Sequence, residues 1–323
     1  MKTAFKVLSL ILTLALICGE STAQSYPKKS IKFVVGYPPG GTTDSVARII
    51  GQKLSERLGQ AVIVENKPGA DSIIAAEYVK NAAPDGYTLF IGGSGVMVFN
   101  PGLYDHLSYD PVKDFIPITQ FVANPLVFAV NSSVPAYSLK DLISLAKAKP
   151  GELFYASGAS PFHAATELLK KQADVNIVHI PYKGSAPSIT AAVAGQVPIV
   201  AVELPAALAQ LKAGKIRALA VSGSKRSAVL PDIPTVADSG LAGYELMMWT
   251  GLFAPLGTPR EITDKLYSEL SSILNQESMK ERLASFGYET SAIGMPPAEF
   301  GAMHKAEVNK WTKISKDLHV IAN

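Results

Sequence analysis

Short apolar runs bounded by glycine or proline alternate with stretches whose apolar residues recur every four positions, and this alternation restricts the chain to few folds. Ile31–Val35, Val62–Glu65 and Leu89–Gly92 read as strands. Between the first two, Thr43–Leu58 places Val46, Ile50, Leu54 and Leu58 on one helical face, with Gly59 at the C-cap position. Ser72–Ala82 reads as the next helix. A β-α-β-α-β order implies an α/β fold with a mostly parallel sheet covered by helices.

A second alternating block follows. Ser138–Lys149 opens with Ser138 and Asp141 at capping-box spacing. Then come a strand near Phe154, a helix Phe162–Ala173, a strand Ile177–Ile180, a helix Ser188–Ala194, a strand Ile199–Val202, a helix Ala206–Ala213 and a strand Arg217–Val221. Two β-rich passages connect the blocks: Phe115–Val130, interrupted at Asn124-Pro125, and Tyr244–Phe253. The last third is helical. Thr258-Pro259-Arg260-Glu261 reads as a capping box with proline at the first helical position, and Ile262, Leu266, Leu270 and Ile273 form the stripe behind it. A final helix from Pro297 buries Phe300, Met303, Trp311, Ile314 and Leu318 and packs His304. Two blocks with two crossings predict a discontinuous first lobe, residues 24–124 with 248–323, and a second lobe, residues 125–247. A cleft between them is the expected ligand site, closing by a hinge at the crossings.

Composition narrows the function. The chain has 323 residues, of which 48% are hydrophobic and 18% charged, which excludes a disordered chain and is long enough for two cores. A net charge of +3 is too weak for a nucleic-acid footprint. The single cysteine, Cys18, permits neither an internal disulfide nor a Cys-rich zinc site. Lys2 and Lys6, the apolar run Val7–Ile17 and the small residues Ser21-Thr22-Ala23 form a secretory signal peptide, with cleavage expected after Ala23. Eleven apolar residues are too few for a membrane span, which needs roughly 20. Ile17 before Cys18 argues against lipoprotein processing, which wants a small residue there.

Gly36-Tyr37-Pro38-Pro39-Gly40-Gly41-Thr42-Thr43-Asp44 lies directly between a strand and a helix. Two glycines allow close backbone approach, and a helix start presents unpaired N–H groups and partial positive charge, a combination that binds anions. Gly36 and Gly41 have Walker A spacing, but Thr42 stands where the lysine belongs, so a nucleoside triphosphate lacks its counter-charge. The alternative reading is a tight turn capped by Thr43. Ser94, in Gly92-Gly93-Ser94-Gly95, approaches a nucleophile elbow, but Val96 replaces the second glycine and no histidine is tied to it. His163 and Glu167, four apart on a helix, have metal-ligand spacing without a third ligand, and a histidine near a helix start with a solvated glutamate fits as well. Tyr182, Lys183 and Gly184 follow a strand end, where open α/β sheets bind ligands, or form a surface turn. Glu203 follows another strand and either accepts from a ligand or caps the next helix. No G-x-G-x-x-G follows a strand, so a dinucleotide cofactor is unsupported.

The mature chain resembles the Bug-type extracytoplasmic solute receptors, the periplasmic binding components of tripartite tricarboxylate transport systems. The segments that carry the resemblance are YPPGGTTD (37–44), VENKPGAD (64–71), APDGYTL (83–89), HIPYKG (179–184) and LPDIPTVADSGLAGYE (230–245). The resemblance implies a two-lobed Venus flytrap fold, periplasmic location and no catalytic chemistry, cofactor or metal. It implies a small organic carboxylate as ligand, a tripartite tricarboxylate-type permease as partner, and a monomer. One ligand carboxylate would be held by the first loop and the loop before the His163 helix, partly through water. By motif position the binding candidates are Tyr37, Gly40, Gly41, Thr42, Thr43 and Asp44, with Ser157, His163, Tyr182, Lys183 and Gly184 from the second lobe. Ser94 and Glu203 are added from the residue reading above. Three departures affect ligand identity. The loop at 157–161 is short, Asp71-Ser72-Ile73 replaces a glycine-richer segment, and Pro198 stands where an aspartate is common. An acid at 71 would repel a second carboxylate or prefer a protonated or amine-bearing ligand. The competing functions are an exported serine hydrolase using Ser94 or Ser157 and a ligand sensor for a signalling partner.

Overall fold

In the computed structural model, which describes residues 26–290 and 293–318, strands form where apolar runs are bounded by turn residues. β1 (Ile31–Val35), α1 (Thr42–Leu58), β2 (Val62–Asn66), α2 (Ile73–Lys80) and β3 (Thr88–Gly93) follow in order. α1 ends at Gly59, whose φ of +66° and N–H bond to the Ser55 carbonyl make the left-handed C-cap. The expected signal peptide and its cleavage site lie outside the described residues. A π-helical turn, Gly95–Phe99, and the short α3 (Asn100–Leu103) lead into β4 (Phe115–Asn131).

The second block contains α4 (Leu139–Ala148), β5 (Phe154–Ser157), α5 (Ser160–Ala173), β6 (Val178–Pro181), α6 (Ser185–Val193), β7 (Ile199–Glu203), α7 (Leu204–Lys212) and β8 (Ile216–Val221). Both halves of the Ser138–Asp141 capping box are present at the start of α4. β9 (Met247–Pro255) returns the chain to the first block, which α8 (Arg260–Leu274), α9 (Glu277–Ser285) and α10 (Pro297–Asp317) complete.

The strand order is β2-β1-β3-β9-β4-β7-β5-β6, with β8 paired to β4. Each lobe has its own parallel set, β2-β1-β3 in one and β7-β5-β6 in the other. The long strands β4 and β9 run antiparallel to each other and to the strands they join. Asn124-Pro125 does not interrupt β4, contrary to the sequence expectation. The strand runs through and exchanges partners there, because Pro125 faces Met247 of β9 whereas Leu126 faces Glu203 of β7. The bends expected of such a long strand are absorbed by register shifts at 117–119 and 120–122.

Four apolar clusters flank the sheet, and the one containing Trp311 also takes in Phe162 and Ala165 of α5. In the first lobe, Val46, Ile50 and Leu54 of α1 meet Leu266 and Leu270 of α8 on one face, and Phe99, Phe300 and Trp311 pack on the other. In the second, Leu139 and Leu142 of α4 cover one face, and Ile189 of α6 with Leu204 of α7 covers the other. His304 is buried with its Nε2 2.9 Å from the Met97 carbonyl, a packed histidine as expected. No described helix is long and apolar enough to cross a membrane.

Two sequence expectations about helix starts are corrected. Thr258 does not cap α8: its hydroxyl donates to the Pro255 carbonyl at 2.8 Å, and Pro259 occupies the N-cap position. α5, α6 and α7 start at Ser160, Ser185 and Leu204, two or three residues ahead of the expected Phe162, Ser188 and Ala206. Their opening turns are polar or proline-containing because they face the space between the lobes.

Candidate functional site

The C-terminal ends of all six parallel strands open into one cleft of about 1410 Å³. That is the position at which open α/β sheets bind ligands. The volume exceeds the roughly 300–1,000 Å³ usual for small-molecule pockets, so a ligand there keeps room for water or an extended body. The loop after β1 forms one wall. Gly36 is required there, since a Cβ would lie 2.3 Å from the Cβ of Ser72, whose hydroxyl donates to the Gly36 carbonyl at 2.9 Å.

Four helices begin at this cleft, α1, α5, α6 and α7, and none has a side-chain N-cap. Their N-cap residues are Gly41, Ala159, Gly184 and Glu203. Glycine and alanine have no oxygen to offer, and the Glu203 side chain is turned elsewhere. The first-turn N–H groups and the positive ends of four helix dipoles are therefore directed at one space. Such an arrangement can hold an anion without relying on a lysine.

Of the residues singled out in the sequence, Tyr37, Gly40, Gly41, Thr42 and Thr43 line the cleft from the first lobe. Ser157, His163, Tyr182, Lys183, Gly184 and Glu203 line it from the second, and Ser94 lies at the end of β3. Asp44 is not among the lining residues, and its expected contact with a ligand is corrected. Its carboxylate accepts from the Gly40 N–H, from Nε and Nη2 of Arg48, and from Nδ2 of Asn66, each at 2.9 Å. Burial works against its charge, but Arg48, the Gly40 N–H and Asn66 hold the carboxyl below its ordinary range. Asp44 thus braces the loop from behind, and the Gly40 N–H is spent on it. The donors left to a ligand are those of the α1 start.

Ser94 is buried, accepts from the Trp249 N–H at 3.0 Å and has no histidine partner among the described residues. Ser157 lies 2.8 Å from Nε2 of His179, a partner the sequence reading missed. His179 stacks on His163 at 4.0 Å and on Tyr155 at 4.9 Å. The nearby acid, Glu167, accepts from the Tyr155 hydroxyl at 2.9 Å, and that hydroxyl is 2.6 Å from Nδ1 of His163. Among the described residues no carboxylate is bonded to His179, so no serine triad is formed. Burial lowers both histidines, His179 to about 4, where neighbouring His163 adds to the effect. Both are neutral hydrogen-bonding groups near neutral pH. Among the described residues no group of three or more His, Cys, Asp or Glu is placed to hold a metal.

Glu203 reaches across to the other lobe, accepting from Thr42 Oγ1 at 3.4 Å. Burial raises its carboxyl from 4.5 to about 7, against the pull of the Thr42 and Ser185 hydroxyls. A raised acid holds its proton in the folded state where the unfolded chain has released it. Stability therefore falls as the pH climbs from about 4.5 to about 7. Glu203→Gln is expected to exceed the parent in stability above about pH 8 by about 1–2 kcal/mol, allowing for partial exposure, with little gain below about pH 4. Urea midpoints at the two pH values check this, and an equal difference at both would contradict it. The sequence reading also missed Ser160, Ser185, Trp249 and Tyr288, which line the cleft together with Asp71, the acid it had tied to ligand identity.

The family model described as "Tripartite tricarboxylate transporter family receptor" matches residues 46–320. Protein BugT of Bordetella pertussis is 32% identical over 314 residues, covering 96% of each chain. The structure of R. palustris Rpa4515 with adipate matches with a TM-score of 0.86 and 38% identity, covering 91% of this chain and 99% of that one. MatC (Rpa3494) from Rhodopseudomonas palustris with bound malate matches with a TM-score of 0.82 and 32% identity, covering 90% and 100%.

Proposed function

Because the chain belongs to the tripartite tricarboxylate transporter family of receptors, which are substrate-binding proteins and not enzymes, we propose that it captures a small organic carboxylate between its lobes and delivers it to a tripartite tricarboxylate-type permease. The observation that carries this reading is the set of four helix starts without side-chain caps around one cleft. A carboxylate accepts from N–H groups and needs no cation when several helix dipoles converge on it. The ligand carboxylate sits at the start of α1, against Gly41, Thr42 and Thr43, with Ser157 and the start of α5 opposite. Lys183, exposed at the rim, meets the rest of the ligand or steers it inward. The adipate and malate held by the two R. palustris proteins support the ligand class.

In this reading the lobes divide between residues 124 and 125 and between 247 and 248, where β4 and β9 cross. The receptor acts as a monomer in the periplasm after removal of residues 1–23. Ligand binding should raise thermal stability. At a ligand concentration 100 times Kd the gain is about 2.7 kcal/mol. Thermal melts with aliphatic and aromatic monocarboxylates and dicarboxylates test the proposal, with an upward shift expected for at least one class. A flat response across the panel, with no calorimetric heat, would refute it.

A further inference from the structure

Two carboxyl groups cross the cleft in opposite directions. Asp71, between β2 and α2 in the first lobe, accepts from Ser160 Oγ at 2.7 Å and from the Tyr104 hydroxyl at 3.0 Å. Ser160 is the first residue of α5, in the second lobe. Glu203, at the end of β7 in the second lobe, accepts from Thr42 Oγ1 and from the Ser185 hydroxyl. Thr42 and Ser185 are the first residues of α1 and α6, and Glu203 itself is the N-cap residue of α7. Each carboxyl thus lies beside helix starts that would otherwise draw an anion from solution.

Backbone strain accompanies this arrangement. Ala70, Asp71 and Ser72 have φ values of +45°, +47° and +70°, a left-handed region that non-glycine residues rarely occupy. Three such residues in succession persist only where the surroundings fix them, and they cluster at sites where the strain has a use. Here it aims Asp71 at the opposite lobe. Counter-charge is scarce. Among the described residues lining the cleft, Lys183 is the one cation, and Arg48 is committed to Asp44 behind the loop.

We infer that Asp71 and Glu203 are built-in carboxylates that fill part of the anion-attracting surface, so that the cleft selects a ligand with one carboxylate over the dicarboxylate of equal length. This rests on the receptor reading proposed above. A ligand's second carboxylate would meet like charge from Asp71, and from Glu203 once that acid ionises above about pH 7, with the exposed Lys183 at the rim the one cation among the described lining residues to offset it. The remainder of the ligand instead meets the apolar wall formed by Ile49, Ile189, Met248 and Phe286.

Calorimetric titration of the purified protein with matched pairs, hexanoate against adipate and butyrate against succinate, tests the inference. The monocarboxylate is expected to bind at least about tenfold more tightly than its partner. Glu203→Gln and Asp71→Asn are each expected to narrow the gap between the monocarboxylate and its matched dicarboxylate by about tenfold. Both substitutions keep the size of the side chain, and asparagine tolerates the left-handed backbone at 71. Tighter binding of the dicarboxylate by the parent protein, or a gap that neither substitution narrows, would overturn the inference while leaving the receptor reading intact. Failure of the parent to bind any member overturns the receptor reading for this ligand class and the inference with it.

Discussion

Gly41→Val is expected to weaken carboxylate binding by roughly a hundredfold, about 2.7 kcal/mol, the scale of losing charge-assisted hydrogen bonds to an anion. Gly41 is the N-cap residue of α1, with φ −77° and ψ 174°, an extended conformation open to any residue. A Cβ there would meet only the Pro38 carbonyl at 3.7 Å, an ordinary contact. The fold should therefore accept valine, with a stability change below about 1 kcal/mol. A branched side chain beside the Thr42 and Thr43 N–H groups would nevertheless hold a carboxylate away from them. Calorimetry and thermal melts of the variant separate the two effects. Unchanged affinity would show that the α1 start is not where the carboxylate sits.

Gly158→Ala should instead damage the fold and the site together. A Cβ at 158 would lie 2.1 Å from both the carbonyl carbon and oxygen of Gly184. Both atoms are backbone, so no rotamer change relieves the clash. One of the two loops must move, and the bond from the Gly184 N–H to the Gly158 carbonyl, now 3.0 Å, is lost or stretched. Overpacking of this kind costs about 1–3 kcal/mol, which for a chain of this size lowers Tm by roughly 2–10 °C. Binding should fall as well, because the two loops carry the starts of α5 and α6. A variant with the parent's Tm and affinity would contradict the tight abutment.

The fold was largely legible in the sequence because burial and periodicity coincide. The face of Val46, Ile50 and Leu54 packs on the sheet, Gly59 ends α1, and Ser138 with Asp141 forms the capping box of α4. The misreadings have separate physical causes. Thr258 looked like a cap, but its hydroxyl found a nearer carbonyl. Asn124-Pro125 looked like a break, but a strand that changes partners at that point places no demand on the missing N–H there.

The site was legible only in part. The loop at 37–44 announces itself through glycines between a strand and a helix. The other three helix starts carry no such signal, because Ala159, Gly184 and Glu203 replace the serine, threonine, aspartate or asparagine that mark a helix start. The lack of a capping side chain that leaves their N–H groups available to a ligand also hides them in the sequence. His179 was missed because its partner, Ser157, is remote in sequence and comes beside it only through the parallel pairing of β5 and β6. Asp44 was misassigned because position in a motif does not reveal which way a side chain points. Its partners Arg48 and Asn66 turn it away from the cleft.

The central claim is that helix N-termini, rather than cations, hold the ligand's carboxylate. A crystal structure of the protein with its carboxylate bound tests this most directly. The account predicts carboxylate oxygens within hydrogen-bond distance, directly or through one water, of the Thr42 and Thr43 N–H groups. A carboxylate seated on Lys183, with the α1 start facing only solvent, would contradict it.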